Sequence, residues 1–192
     1  MSLLSQIAQP PAVTVVEDFL IGAPVPERVA SILQASMDVY PQYIEQRLPA
    51  AQWYISLAYL GEVENPAQYY SRLRKPLVQA FLPTVQLTHV GRGRPLRQEL
   101  WAFAEATPVL LGIRAQLVAR LKKMRFKFPT DKLRQEYIPH ITIGHLFSQV
   151  GHLGIADVAA VTSFGLHAVH VYSRRTAQSG TTITIEETIA LS

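Results

Sequence analysis

The stretch "EYIPHITIGHL", residues 136–146, combines an apolar strand pattern with polar side chains that can do chemistry. Because side chains alternate between the two faces of a strand, His140 and Thr142 point to one face, while Ile141 and Ile143 point to the other. An imidazole exchanges protons near neutral pH, and a hydroxyl two residues further along can hold a substrate oxygen. The pair predicts an acid–base site on one face of a strand.

His145 lies on the opposite alternation to His140, so it faces away unless a bulge re-aims it. A substrate contact by His145 is therefore an alternative to a structural role. The remaining histidines share no spacing typical of a zinc site: His89, His152, His167 and His170. We expect neither a metal nor a cofactor.

An earlier strand, Gln52–Val63, repeats the polar pattern with Tyr54 and Ser56 at positions two residues apart. The two patterns are separated by almost half of the chain. If each belongs to one half of a duplicated fold, their strands could place the polar pairs on opposite walls of one cleft. Strands also favour tyrosine for packing, so a structural role for Tyr54 stays open.

The composition describes the molecule that must position these residues. The chain has 192 residues, of which 48% are hydrophobic and 17% charged, as is typical of a well-packed globular protein. It has no cysteine, which excludes disulfides and thiolate metal sites. A net charge of +4 is compatible with an anionic ligand such as a nucleotide or RNA, but does not require one.

The N-terminus lacks the basic region of a signal peptide, and charges, prolines or glycines interrupt every apolar stretch. We therefore expect a cytoplasmic protein that does not bind membranes. We also expect it to be a monomer. Residues 1–12 should form a loose tail before a single domain over residues 13–192.

Apolar periodicity and turn residues predict the order of the elements. Helices are expected over 25–40, after Asn65-Pro66 with a break at Pro76, and from Thr107-Pro108 with a buried stripe at Leu110, Ile113, Leu117, Leu121 and Met124. Strands are expected at 13–24, 52–63, 84–92, 99–106, around His140, at 164–174 and at 181–191. Because the last two strands follow each other as a hairpin, an α+β fold with antiparallel sheets is favoured over a doubly wound parallel sheet.

Three segments, "SLAYLGEV", "PHITIG" and "HVYSRRTAQSGTTITIEETIAL", resemble the two-histidine (2H) phosphoesterase superfamily, close to its 2′-5′ RNA ligase and RNA 2′,3′-cyclic phosphodiesterase branch. The likeness spans roughly Val15 to Leu191. The family carries two His-x-Thr/Ser motifs on strands that face a central cleft. This chain departs from it at the first motif, where Tyr54 stands in place of the histidine. The resemblance implies two pseudo-symmetric lobes around that cleft, each an antiparallel sheet with outer helices.

The resemblance also implies an activity: a metal-independent phosphodiesterase acting on 2′,3′-cyclic phosphate at RNA ends or on small cyclic nucleotides. His140 would serve as base and Tyr54 as proton donor, while Thr142 and Ser56 would bind phosphate. With one motif histidine absent, the alternative is a catalytically impaired member that binds a nucleotide or RNA phosphate without turnover. A fold kept only for protein interaction is a third possibility.

Two arginines in the turn-rich loop 91–97, Arg92 and Arg94, are candidate contacts to RNA phosphates. A basic loop of this kind can equally be a solvated turn. Like Arg92 and Arg94, His145 is a candidate contact to the substrate.

Overall fold

The computed structural model describes residues 16–39, 41–78, 83–93, 98–129, 137–147, 162–177 and 180–192. The predicted N-terminal tail and Arg94 lie outside these residues. The elements follow in the order β1 (Val16–Pro24), α1 (Glu27–Met37), β2 (Ile44–Arg47), β3 (Tyr54–Gly61), α2 (Ala67–Leu73), β4 (Thr84–Arg92), β5 (Glu99–Ala104), α3 (Pro108–Lys123), β6 (His140–Leu146), β7 (Thr162–Gly165), β8 (Ala168–Ala177) and β9 (Gly180–Ala190).

Within the described residues the strands form one nine-stranded sheet in the order β7-β4-β5-β6-β3-β1-β8-β9, with β2 paired to β6. The paired strands are antiparallel. One half of the sheet, β3-β1-β8-β9, meets the other half, β7-β4-β5-β6, through the pair Ile55–Ile141. The predicted α+β class and its two-lobed arrangement are confirmed.

Helix α3 forms where the sequence predicts it. The Thr107 side chain accepts a hydrogen bond from the backbone N–H of Leu110 at 3.2 Å, and Pro108 occupies the first turn, so the helix has a capped N-terminus. The buried stripe consists of Leu110, Ile113, Leu117 and Leu121. Each such side chain contributes about 1.5–3 kcal/mol when it is fully buried. This stripe anchors α3 to the hydrophobic core.

The predicted and observed strands differ at two places. The expected strand over 164–174 is divided into β7 and β8, because Phe164 pairs with β4 while the residues after Ala168 pair with β1 and β9. Strand β2 was not predicted, since three of its four residues are exposed and give no apolar alternation. Helix α2 ends at Leu73, ahead of Pro76, as the proline predicts.

No helix in the described part of the chain has the length and apolar character needed to cross a bilayer.

Candidate active site

Strand β3 carries a β-bulge that sets the direction of its polar side chains. Its register with β1 shifts by one residue between Ser56 and Ala58, which makes Leu57 the extra residue. Leu57 and Ala58 are both buried, so the alternation resumes with Tyr59 on the same face as Tyr54. Tyr54, Ser56 and Tyr59 consequently line one cavity.

Strand β6 repeats this arrangement. Its register with β5 shifts between Thr142 and Gly144, which makes Ile143 the extra residue. Ile143 and Gly144 are both buried, and His145 returns to the face of His140. His140, Thr142 and His145 line the same cavity as the β3 residues. A bulge therefore re-aims His145, which is the exception that the simple alternation left open.

The two strands bring their polar pairs side by side. By the antiparallel register at their junction, Tyr54 lies beside Thr142 and Ser56 lies beside His140. Tyr54 and His140 then stand on a diagonal, for which residues are typically about 7–8 Å apart and their Cβ atoms somewhat closer. The shared cavity has a volume of about 450 Å³, within the usual size range of small-ligand sites. The phenol of Tyr54 and the imidazole of His140 both line this cavity.

His140 is held in one orientation by two contacts. Its Nδ1 lies 2.7 Å from the carbonyl oxygen of Ile138, and its ring stacks on Trp101 with centroids 3.6 Å apart and an interplanar angle of 15°. Because a carbonyl only accepts hydrogen bonds, the hydrogen of the neutral ring is assigned to Nδ1 and the lone pair to Nε2. The Trp101 indole in turn donates to Glu99 Oε2 at 2.9 Å. This tautomer suits a proton acceptor at Nε2.

Tyr54 is held between a ring and a cation. Its ring stacks on Tyr172, with centroids 5.1 Å apart and an interplanar angle of 26°. Burial raises the pKa of the Tyr54 phenol above its ordinary value, and the nearby Arg174 guanidinium opposes that rise only in part. Tyr54 is therefore a neutral hydrogen-bond donor at pH 7 and not a base.

An ion pair with the buried carboxylate of Asp18 fixes Arg174 on the cavity wall. Arg174 donates from Nε to Asp18 Oδ1 at 2.9 Å and from Nη2 to Oδ2 at 2.5 Å, and the Tyr59 hydroxyl donates to the same carboxylate at 2.8 Å. Asp18 is 5% exposed. Burial, together with the hydrogen bond to Asp18, raises the pKa of Tyr59 to about 12. Asp18, Tyr59 and Arg174 thus form one network along the wall that carries Tyr54.

The sequence analysis did not identify several residues that line this cavity or, like Asp18, support its wall. Asp18 and Arg174 lie on different strands far apart in the chain, and the only local signal was a carboxylate within the apolar run "VTVVEDFLIG". Other lining residues without a sequence signal are Glu99, Trp101, Arg114 and Tyr137.

The structure also tests whether the arginine candidates from the sequence, or a metal, could belong to this site. Arg92 ends β4 and is not among the described residues that line the cavity. In the part of the chain that the structure describes, no group of three or more histidine or acidic side chains is placed to hold a metal ion.

Comparison with known proteins shows that this chain shares its fold with several solved structures. Neither a protein-family model nor a curated protein matches the chain. TT0787 of Thermus thermophilus is 18% identical, with a TM-score of 0.74 over 91% of this chain and 97% of that one. E. coli LigT complexed with phosphate is 17% identical, with a TM-score of 0.70 over 93% of this chain and 99% of LigT. A structure described as a phosphoesterase is 16% identical, with a TM-score of 0.74 over 92% and 99%.

The chain has the fold of these three structures, which is the fold that the resemblance in the sequence implies. The resemblance noted in the sequence is confirmed at that level. Structures of E. coli LigT have also been determined with ATP, 3′-AMP and NADP+.

Proposed function

We propose that this protein is a metal-independent phosphodiesterase that opens 2′,3′-cyclic phosphates at RNA ends or on small cyclic nucleotides. The observation that carries the proposal is the placement of His140, whose ring is fixed by Ile138 and Trp101 on the wall of the cavity that also contains Tyr54. The shared fold with LigT, which binds phosphate and 3′-AMP, supports a phosphate ligand in this cavity.

In this proposal His140 is the general base. A water molecule attacks the phosphorus atom, and Nε2 of His140 accepts the proton that the water loses. The new bond joins the water oxygen to phosphorus, while one of the two bonds from phosphorus to a ribose oxygen breaks. The Nδ1 hydrogen bond to Ile138 keeps Nε2 directed toward the reacting water.

Tyr54 supplies the proton that the departing ribose oxygen requires. Burial keeps the phenol protonated, so the donor is in the correct state at neutral pH. Arg174 lowers the pKa of Tyr54 and therefore stabilises the phenolate that forms after transfer. The proton on His140 then returns to Tyr54 through solvent, which closes the cycle.

Two hydroxyl groups, Ser56 and Thr142, bind the non-bridging oxygens of the phosphate. Each lies next to the acid–base residue of the other strand, so the phosphate is held from both walls. Such fixed donors stabilise the charge that develops on phosphoryl oxygens in the transition state. His145, on the same face, is a further candidate contact to the substrate.

One observation favours a second candidate, an impaired relative that binds phosphate without turnover. The pKa of Tyr54 is raised from a reference value of 10.0, which makes proton donation harder than from an imidazole with a pKa near 6.5. Loss of one acid–base contribution typically costs on the order of 10²–10⁴ in rate. If the rate fell far enough, the protein would bind the phosphate without measurable turnover.

A hydrolysis assay on 2′,3′-cyclic nucleotides separates the two functions. Turnover by the wild type that falls by about 10²–10⁴ in His140→Ala supports the enzyme. A silent wild type that binds the nucleotide, with activity gained in Tyr54→His, supports the impaired relative. His167→Ala is the matched control, because His167 is exposed and does not line the cavity. A protein that neither cleaves nor binds these nucleotides would contradict both.

A further inference from the structure

A second polar pair lies in the same cavity, away from the motif residues. Arg114 of α3 places its guanidinium carbon 4.5 Å from the ring centroid of Tyr137, which precedes β6. Both side chains line the cavity that contains His140. The proposed catalytic mechanism uses neither of them.

Arg114 and Tyr137 each bury a polar atom that makes no hydrogen bond within the described part of the chain. Arg114 Nε and the Tyr137 hydroxyl are inaccessible to solvent and have no hydrogen-bond partner within the described part of the chain. No carboxylate among those residues forms an ion pair with Arg114. Burying donors in this state destabilises a fold, so such groups call for an explanation. A ligand that accepts hydrogen bonds from both would provide one.

The chemistry of the pair defines that ligand. A guanidinium offers a planar set of N–H donors that suits phosphate, and the stacked phenol keeps its plane fixed. Burial raises the pKa of the Tyr137 hydroxyl, which therefore remains a donor at neutral pH. The other cationic side chain described in this cavity, Arg174, is already paired with Asp18. Arg114 is thus the better placed of the two for an additional anion.

We propose that Arg114 and Tyr137 bind a second phosphate group of the substrate, in addition to the cyclic phosphate between Tyr54 and His140. This inference rests on the proposed function. The second phosphate is either the 5′-phosphate of a nucleotide or the phosphodiester that joins the terminal nucleotide of an RNA to its neighbour. Both sources present the same anionic oxygens to the guanidinium.

The distance to His140 is compatible with one nucleotide. Tyr137 precedes His140 by three residues, so their Cα atoms are at most about 10–11 Å apart. The intervening Ile138 supplies the carbonyl that orients the His140 ring. A phosphate at Tyr137 would therefore stabilise the same short segment that holds the base in place.

Three substrates test the inference: adenosine 2′,3′-cyclic phosphate, the same compound with a 5′-phosphate, and the ApA dinucleotide ending in a 2′,3′-cyclic phosphate. We expect the wild type to prefer a substrate with a second phosphate by roughly 10- to 100-fold in kcat/KM, the range for hydrogen bonds to a charged group. Preference for the 5′-phosphate compound alone indicates a mononucleotide substrate. Preference for the dinucleotide alone indicates an RNA end. Equal kcat/KM for all three would overturn the inference.

Variants then assign the preference to this pair. Arg114→Gln should remove the preference for a second phosphate, and Arg114→Lys should restore part of that preference. Tyr137→Phe removes only the hydroxyl and should give a smaller loss. Arg28→Gln is the control, because this substitution removes the same charge from an exposed position of α1. An Arg114→Gln variant that lowers kcat/KM equally for every substrate would contradict the assignment.

Failure of the proposed activity can be distinguished from failure of this inference. If the wild type turns over none of the compounds, they remain intact as ligands, and their dissociation constants can be measured by calorimetry. Tighter binding of the compounds with two phosphates, lost in Arg114→Gln, still supports the second phosphate site. Equal binding of all three, or binding of none, overturns it.

Discussion

Tyr54 and His140 are the corresponding first residues of one pattern that occurs in both halves of the sheet. In each strand the cavity-facing residues follow at positions i, i+2 and i+5, with the bulge at i+3: Tyr54, Ser56 and Tyr59 on β3, and His140, Thr142 and His145 on β6. The bulge is what brings the third residue to the cavity, because strict alternation would turn it away. Tyr54 therefore occupies the position in which a second imidazole would face His140.

The hydroxyl of Thr142 should contribute to transition-state binding and not to folding. Thr142→Val keeps the shape of the side chain and removes its hydroxyl, so we expect kcat/KM for a 2′,3′-cyclic nucleotide to fall by about 10- to 100-fold, somewhat below the loss of a dedicated oxyanion donor. Thr184→Val, at an exposed position of β9, should leave kcat/KM unchanged. Steady-state kinetics on both variants measure the difference. Equal activities would remove Thr142 from the proposed phosphate site.

The pH dependence of turnover should reveal which residue donates the proton. Because burial raises the pKa of Tyr54 above 10.0, its active, protonated form persists as the pH rises, and activity should not decline before about pH 10. A donor with an ordinary imidazole pKa would instead lose activity above about pH 6.5. Tyr54→Phe should remove the alkaline decline and reduce kcat by about 10²–10⁴. A wild-type profile that falls between pH 6 and 8 would exclude Tyr54 as the donor.

The elements that were correctly predicted depend on local signals. Helix α3 follows from a cap at Thr107, a proline in the first turn and an apolar stripe at helical spacing, all of which lie within one segment. The alternation of β6 likewise predicted that His140 and Thr142 share a face. Periodicity and capping are properties of neighbouring residues, so they are readable without knowing the partners of a strand.

Features that the sequence did not predict depend on pairing between distant segments. The bulge at Ile143 exists only relative to the register of β5, and the Asp18–Arg174 pair joins strands 156 residues apart in the chain. Strand β2 pairs with the end of β6 but has no apolar face of its own. The same limit applies to the contact between Arg114 and Tyr137, which a helix and a loop form by folding.

The ion pair between the buried Asp18 and the partly exposed Arg174 should be important for stability. Asp18→Asn removes the charge that compensates the guanidinium, and we expect the free energy of unfolding to fall by about 1.5–3 kcal/mol. The matched control is Asp38→Asn, which removes the partner of Arg47 from a surface pair with exposed side chains and should cost about 0–1 kcal/mol. Urea unfolding of the wild type and both variants measures these values. Similar losses for the two variants would show that burial does not strengthen the dependence on Asp18.

Gly144 should be required for the close pairing of β6 with β2 next to the bulge that turns His145 toward the cavity. A Cβ at this position would lie 2.7 Å from the carbonyl oxygen of Gln46, a backbone atom of the paired strand β2 that cannot move without shifting the strand. Gly144→Ala should therefore lower the free energy of unfolding by about 1–3 kcal/mol, as overpacking of a close contact does. Gly112→Ala is the matched control within α3, where a Cβ meets nothing within 4 Å, and it should stabilise the protein by about 0.4–1 kcal/mol. Chemical unfolding should show that Gly144→Ala is less stable than wild type and that Gly112→Ala is more stable. A Gly144→Ala variant as stable as wild type would show that β2 adjusts without cost.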